Sequence, residues 1–412
     1  MKGESDMKKA SFAILAAAII PALLVEGCKN GGPVSAGPET QKSIYVTPPP
    51  PGKLPWPQHD PAFSSAMYNA MMDSLFIIND FGQYQAGTTK ESVYFHDGLD
   101  VVLWNGTKIF AVDSGYVKAI MTQWGEYYQL LIIGNTPGSA PGYAWSYAHI
   151  NNFQVKVGDK VRQGDYIADI HFQGVPHVHL SRVYLTSGSW SNLYDTRSVQ
   201  PDSYFFYPDD KAPLIEQGFH YYRNGTDSLL GTGSTAVISG AADIVVGMRE
   251  QGEYAHSEGG VMYSGYGDRL CVSKIEYEIK GEDGKVSHYS SFDFSKMVLG
   301  QFADAVDRVY TVYKFYPTVH PGTVQSWDKI YSYYVITNTS GEPEQGEVKV
   351  SDQKYSWRTD EKNTDGAPKW PDGTYTVTVF AWDYTGNEAK LSESVKVNNS
   401  SAGVIAARYS TR

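Results

Sequence analysis

The side chains best suited to chemistry fall in three short motifs between residues 96 and 179. They are His96-Asp97-Gly98-Leu99-Asp100, Tyr147-Ala148-His149 and His177-Val178-His179, and they hold four of the ten histidines in the chain. His-x-x-x-Asp supplies an imidazole and a carboxylate, both of which suit Zn²⁺. His-x-His is the complementary signal on a strand, where residues i and i+2 point to one face. One of that pair can bind a metal while the other stays beside it for proton chemistry. Two His and one Asp make three protein ligands and leave the fourth tetrahedral position to water, the open arrangement of a catalytic zinc site. Gly98 lets the backbone bend between the two residues of the first motif.

In this order the motifs resemble those of the M23 (lysostaphin/LytM-type) zinc metalloendopeptidases, whose pattern is H-x-x-x-D, a later lone His and a closing H-x-H. The similar text covers roughly residues 75–185 and includes Phe81-Gly82 and residues 96–100, 111–117, 147–150, 155–170 and 177–180. The resemblance implies one Zn²⁺ per chain, with His96, Asp100 and His179 as metal ligands and His149 and His177 as the two catalytic histidines. It departs from the family at Gln83 and Gln85, where many relatives carry an Arg near the Phe-Gly pair. That difference bears on how a substrate is gripped, not on the metal.

The elements that must position these residues read as strands. Residues 96–102 are a turn into a strand, and residues 109–120 form a strand pair around Asp113-Ser114-Gly115. Residues 130–133 are a buried-strand run, and residues 144–150 make another that passes through His149. Residues 155–165 carry K-x-G-D-x-V-x-x-G-D wording that also occurs in biotinyl and lipoyl carriers. No Lys stands at the hairpin tip such a carrier would need, so the segment reads as scaffold. His171 matches no family position and reads as structural or as a cleft-rim contact; Asp97 and Asp113 read as turn residues. The first domain is expected at residues 62–210, opening with a short helix inside residues 63–76.

Before it, residues 1–28 read as an export signal with a lipoprotein box. Lys2, Lys8 and Lys9 precede an apolar run too short for a confident membrane span, and the run ends at Leu24-Val25-Glu26-Gly27-Cys28. Cys28 is the expected lipidation site, although Glu26 replaces the usual small residue. Ordinary secretion with an incidental Cys is the alternative. Residues 29–61 form a Pro-rich tether that favours extended polyproline geometry. The expected location is therefore the bacterial cell envelope, lipid-anchored, on the periplasmic or surface side of the outer membrane.

With Cys28 spent on a lipid, Cys271 is the one other cysteine, and no disulfide framework is available. The net charge of −11 and the lack of a Lys/Arg cluster argue against a nucleic-acid partner. Thirty-one Tyr with 16 Phe and 9 Trp, among many Gly and short alternating runs, favour an all-β protein. Residues 214–398 show period-2 runs, the clearest at 372–381, and D-G-x-Y-x-V-x-V-x-A-x-D-x-x-G-N wording similar to bacterial immunoglobulin-like domains. They are expected to form an Ig-like β-sandwich with an irregular or helical insertion near residues 294–309. Two smaller sandwiches are the runner-up, because about 180 residues exceeds the usual size. Residues 399–412 are a tail.

The expected fold is thus all-β, an antiparallel-sheet metallopeptidase core followed by a sandwich. The resemblance implies hydrolysis of peptidoglycan peptides, either stem cross-links or bridges. The alternative it leaves is a non-catalytic M23-like domain that binds or activates another wall hydrolase.

Overall fold

β-Branched and aromatic residues run between Gly-rich turns along most of the chain, and such residues fit a pleated, half-buried surface better than a helix. The computed structural model describes residues 49–85, 93–250, 257–258, 261–262, 270–300, 306–314, 331–338 and 356–400. Cys28 and the expected export signal lie outside them. Among the described residues the fold is mostly strand, with two short α-helices at Ser65–Asp73 and Val306–Val312. None of these helices is long and apolar enough to cross a membrane. The first starts where Ser64 caps it, its Oγ accepting from the Met67 N–H at 3.3 Å.

The first region is organised by one antiparallel sheet. Its main strands are β1 (Ile77–Asn79), β2 (Leu99–Val102), β3 (Gly115–Met121), β4 (Leu130–Gly134), β5 (Gly142–Ala148), β6 (His177–Leu185) and β7 (Thr196–Val199). They lie side by side in the order β1-β2-β6-β5-β4-β3, while β7 pairs with the far end of β6. Strand β6 is therefore central, and its all-apolar or small positions Val178, Leu180 and Val183 are completely buried. A smaller sheet of Lys108–Phe110, Tyr166–Ile170 and Ile150–Asn151 closes over Ile109, Ile150, Ile167 and Ile170. The hairpin text at 155–165 serves this scaffold, with Lys160 and Val161 pairing Tyr116 and Gly115 of β3.

The packed region begins before residue 62. Trp56 is buried, stacks on Phe205 at 4.6 Å and donates from Nε1 to the Phe206 carbonyl. The Phe110 N–H donates to the Pro57 carbonyl.

Beyond residue 213 two sheets face one another. One is built on β8 (His220–Arg223) and the long β9 (Ala241–Arg249); the other contains β10 (Lys274–Lys280) and β11 (Val286–Asp293). Strand β12 (Ser332–Val335) joins the first sheet beside β9, and β13 (Gly373–Trp382) and β14 (Glu388–Val397) join the second. Tyr375, Val377, Val379 and Ala381 alternate into the shared core, as the period-2 text predicts, against Ile244, Val246 and Met248. Asp383 makes the β13–β14 turn by accepting from the N–H groups of Thr385, Gly386 and Asn387. Around residues 294–309 the described part is a 3₁₀ turn at Phe294–Lys296 and a strand at Val298–Gly300 before the second helix.

The two regions are joined. Val298–Gly300 pairs with β7 and so extends the first sheet across residue 213. Phe81, Tyr84, Val93 and Phe95 of the first region pack in the same apolar cluster as the sandwich core.

Candidate metal centre

The register of β6 assembles the site. His179 lies directly opposite Asp100 on β2 and opposite Ala148 on β5, and His177 lies opposite Val102. Asp100 and the H-x-H pair therefore share one sheet face at neighbouring positions, and His149 follows directly at the end of β5. His96 is carried in by the turn that precedes β2. Gly98 in that turn is not in the left-handed region. It is needed for space instead, because a Cβ there would stand 2.7 Å from the Leu180 carbonyl oxygen and 2.6 Å from Ser181 Oγ.

Three donor atoms converge. His96 Nε2, Asp100 Oδ1 and His179 Nδ1 form a triangle with edges of 3.0 Å, 3.0 Å and 2.8 Å. A tetrahedral ion with bonds near 2.0–2.1 Å separates its ligands by about 3.3 Å, so this donor set fits zinc in type and nearly in spacing. All three residues are buried. The remaining atoms are held by the protein. His96 Nδ1 donates to the Asp80 carbonyl at 2.9 Å, and Asn79 Nδ2 donates to Asp100 Oδ2 at 2.6 Å. His179 Nε2 lies 2.8 Å from Ser181 Oγ and 3.3 Å from Asp97 Oδ1, and Ser198 Oγ donates to the other Asp97 oxygen. Such partners fix ring orientation and raise ligand basicity.

The other two histidines flank the triangle. Their rings are 4.6 Å apart, and the His177 Nε2 comes within 3.7 Å of Asp100 Oδ1. His149 Nδ1 pairs with the Tyr127 carbonyl and His177 Nδ1 with the Val175 carbonyl. Both carbonyls can only accept, so each Nδ1 carries the proton and each Nε2 is left with its lone pair. Phe172 packs edge-on against both rings, and Tyr128 against His149. His149 reaches this place with φ +62, a left-handed conformation uncommon outside glycine. His171 stacks its ring on Tyr127 at 5.0 Å, and its backbone N–H donates to the His149 carbonyl.

The electrostatics set His149 and His177 apart from His179. Burial pushes His149 down to about 3, helped by the His177 imidazole beside it. Burial also lowers His177, against the opposing pull of Asp100. His179 is likewise opposed by burial, but hydrogen bonds to Asp100 and Asp97 win and hold it up at about 10. Burial would raise Asp100, yet the facing His96 and His177 hold it well below the usual carboxylate range. The centre thus has an ionised carboxylate ready to ligate and two neutral imidazoles beside it.

All five residues expected from sequence come together here. Asp97 is not a plain turn residue, since its carboxylate is buried against His179. Asn79, Ser181 and Ser198 had no signal in the sequence, because their partners are set by strand register. A second group, Asp209, Glu250 and Asp383, also converges, but Asp383 already spends its oxygens on its own turn.

Comparison with known proteins adds to this geometry. Residues 94–189 match the model of peptidase family M23; that segment is an M23 peptidase-family domain. The glycyl-glycine endopeptidase ALE-1 of Staphylococcus capitis is 30% identical over 115 residues, which are 27% of this chain and 29% of that protein. The chain thus spans less than a third of the length of this curated relative. Among solved structures, the catalytic domain of the antimicrobial peptidase lysostaphin from Staphylococcus simulans is 24% identical, over 29% of this chain and 87% of that one, with a TM-score of 0.24. LytU is 29% identical over 31% of this chain and 82% of that one, also at 0.24.

Proposed function

We propose that the protein is a zinc-dependent endopeptidase that hydrolyses peptide bonds of bacterial peptidoglycan, in stem cross-links or bridges. The observation that carries this reading is the 2.8–3.0 Å triangle of His96 Nε2, Asp100 Oδ1 and His179 Nδ1 beside two histidines with unprotonated Nε2 atoms. The M23 match over residues 94–189 and the similarity to the glycyl-glycine endopeptidase of Staphylococcus capitis support it.

His96, Asp100 and His179 would hold one zinc ion, which when bound supplies Lewis-acid polarisation of a water and of the scissile carbonyl. His149 and His177 do the proton work. Their Nε2 atoms are bases in a buried site, so one of the two takes the proton of the attacking water and returns that same proton to the leaving amine as the C–N bond breaks. Their backbone carbonyl partners keep both rings in the required tautomer. Asp97 and Ser181 hold the His179 ring in its ligating orientation.

The test is metal content and wall clearing on the same samples. His96→Ala, Asp100→Ala and His179→Ala should lose zinc and hydrolysis together. A wild-type protein with no bound zinc would sink the reading; one with zinc that never clears purified walls would favour a non-catalytic binding or activating role.

The envelope location belongs to the same proposal. Cys28 after a short apolar run supports a lipid anchor. Cys28→Ala should move the protein from the membrane fraction to the soluble one, and a mature wild type that begins downstream of Cys28 would contradict it.

A further inference from the structure

We infer that the C-terminal sandwich is a working part of the metal centre, with Tyr384, Tyr313 and Cys271 as positioning residues that act through the loop at residues 79–83. This rests on the metal reading above.

The loop has two sides. Toward the centre, the Gly82 N–H donates to the His96 carbonyl and the His96 N–H to the Gln83 carbonyl, at 2.7 and 2.8 Å. The Asp80 carbonyl accepts from His96 Nδ1, and Asn79 holds the outer oxygen of Asp100. The orientation of two of the three ligands is thus set by this loop.

Toward the sandwich, every contact is made by residues far along the chain. The Phe81 carbonyl accepts from the Tyr384 hydroxyl at 2.6 Å and from Cys271 Sγ at 3.3 Å. The Gly82 carbonyl accepts from the Tyr313 hydroxyl at 2.7 Å, and Asp80 Oδ1 accepts from the Cys271 N–H at 3.1 Å. Gly82 has φ +86, and a Cβ there would run into the Phe294 ring.

Within the loop, Gln83 closes the remaining groups, accepting from the Asp80 N–H and donating to Asn79 Oδ1. Asn79 is the last residue of β1, and residues 80–83 belong to no strand before the short one at Tyr84–Gln85, so their shape is set by these outside partners. The carbonyl that carries the His96 bond belongs to Asp80, whose side chain and next residue are both held by Cys271. A shift of the sandwich relative to the first sheet would therefore turn the His96 ring and release the Asp100 oxygen.

Simple adhesion between the regions would use the same bonds, but it predicts a different result. The full-length chain is compared as wild type, Tyr384→Phe, Tyr313→Phe, the double variant, and Tyr375→Phe. Tyr375 lies in the same sandwich and donates to the Pro371 carbonyl, away from the loop. Zinc affinity is read by competition with a chromophoric chelator, and site geometry by the visible spectrum of the Co²⁺-substituted protein.

The double variant should bind zinc about tenfold more weakly, the lower end of the loss seen when a ligand's supporting partner is removed. Its Co²⁺ spectrum should change, each single variant should show part of the effect, and Tyr375→Phe should match wild type in both readouts. Single variants that bind zinc as tightly as wild type, whatever their thermal stability, would overturn the proposal. Wild type without zinc affinity would instead overturn the metal reading itself.

Discussion

His179 divides its two ring nitrogens between two tasks: Nδ1 faces His96 Nε2 and Asp100 Oδ1 while Nε2 is held by Ser181 and Asp97. Asp97→Asn keeps the shape but weakens that hold, and zinc affinity should fall by about 10- to 100-fold while the fold persists. Chelator competition measures it, and an unchanged affinity would show that Ser181 alone suffices. His149→Ala and His177→Ala leave the ligand triangle intact, so zinc should stay bound. Hydrolysis of purified walls should nevertheless drop by roughly 10²–10⁴-fold, as for a lost acid–base group. If His177→Ala loses its zinc while His179→Ala keeps it, the two roles are exchanged. Gly98→Ala should cost roughly 1–3 kcal/mol, since the new Cβ presses on the Leu180 carbonyl of the central strand. Chemical denaturation would read it. At this scale the sequence was most informative: ligand chemistry restricts both residue type and spacing, so five residues were visible as motifs. Asp97 was not, because an Asp beside a Gly reads as a turn until the strand facing it is known.

Strand β6 is the element that turns spacing into geometry. Its register sets His179 against Asp100, and a slip by one residue would send both histidines to the opposite face. That register is secured by Val178, Leu180 and Val183, fully buried in the core, and by β7 alongside its far end. Alternation of apolar residues announced the strands and the β13–β14 hairpin, because burial on one face imposes a period of two. It could not announce that Val298–Gly300 would extend the first sheet, since edge pairing depends on neighbours remote in sequence. Phe81, Tyr84, Val93 and Phe95 lie inside the expected first region, yet they pack with the sandwich. A chain ending at residue 212 would leave them facing water, and each buried apolar side chain of this kind contributes roughly 1.5–3 kcal/mol. Such a fragment should unfold at lower denaturant than the same region in the full chain and should bind an apolar dye. An unchanged midpoint would show that the first region is self-sufficient.

On the scale of the whole molecule, the seam between the regions holds a partly open pocket of about 370 Å³ lined by Asp80, Asp202, Asp209, Glu250 and Asp383, among others. Burial pushes Asp80 up to about 7, and burial together with Asp383 pushes Asp209 up to about 6. These acids keep their protons in the folded chain at pH values where the unfolded chain has lost them. Their contribution is complete below about pH 4 and is lost as the pH rises through 6 to 7. Compared with Asp80→Asn, the wild type should therefore lose stability between about pH 4 and 7 and level off above that, measured by denaturation with zinc removed. A difference that stays constant with pH would mean that Asp80 is ionised throughout.

The same seam sets an order in time. Phe81 and Tyr384 are hydrogen-bonded across 303 residues, and Gly82 and Tyr313 across 231. Contacts that span so much chain form slowly, because loop-closure entropy is lost before they return anything. A chain that emerges from its N-terminus possesses all five site residues well before Tyr313 and Tyr384, which seat them. On the reading proposed above, the centre would reach its working shape only once Tyr313 and Tyr384 have docked, a built-in delay written in the 303 residues between Phe81 and Tyr384.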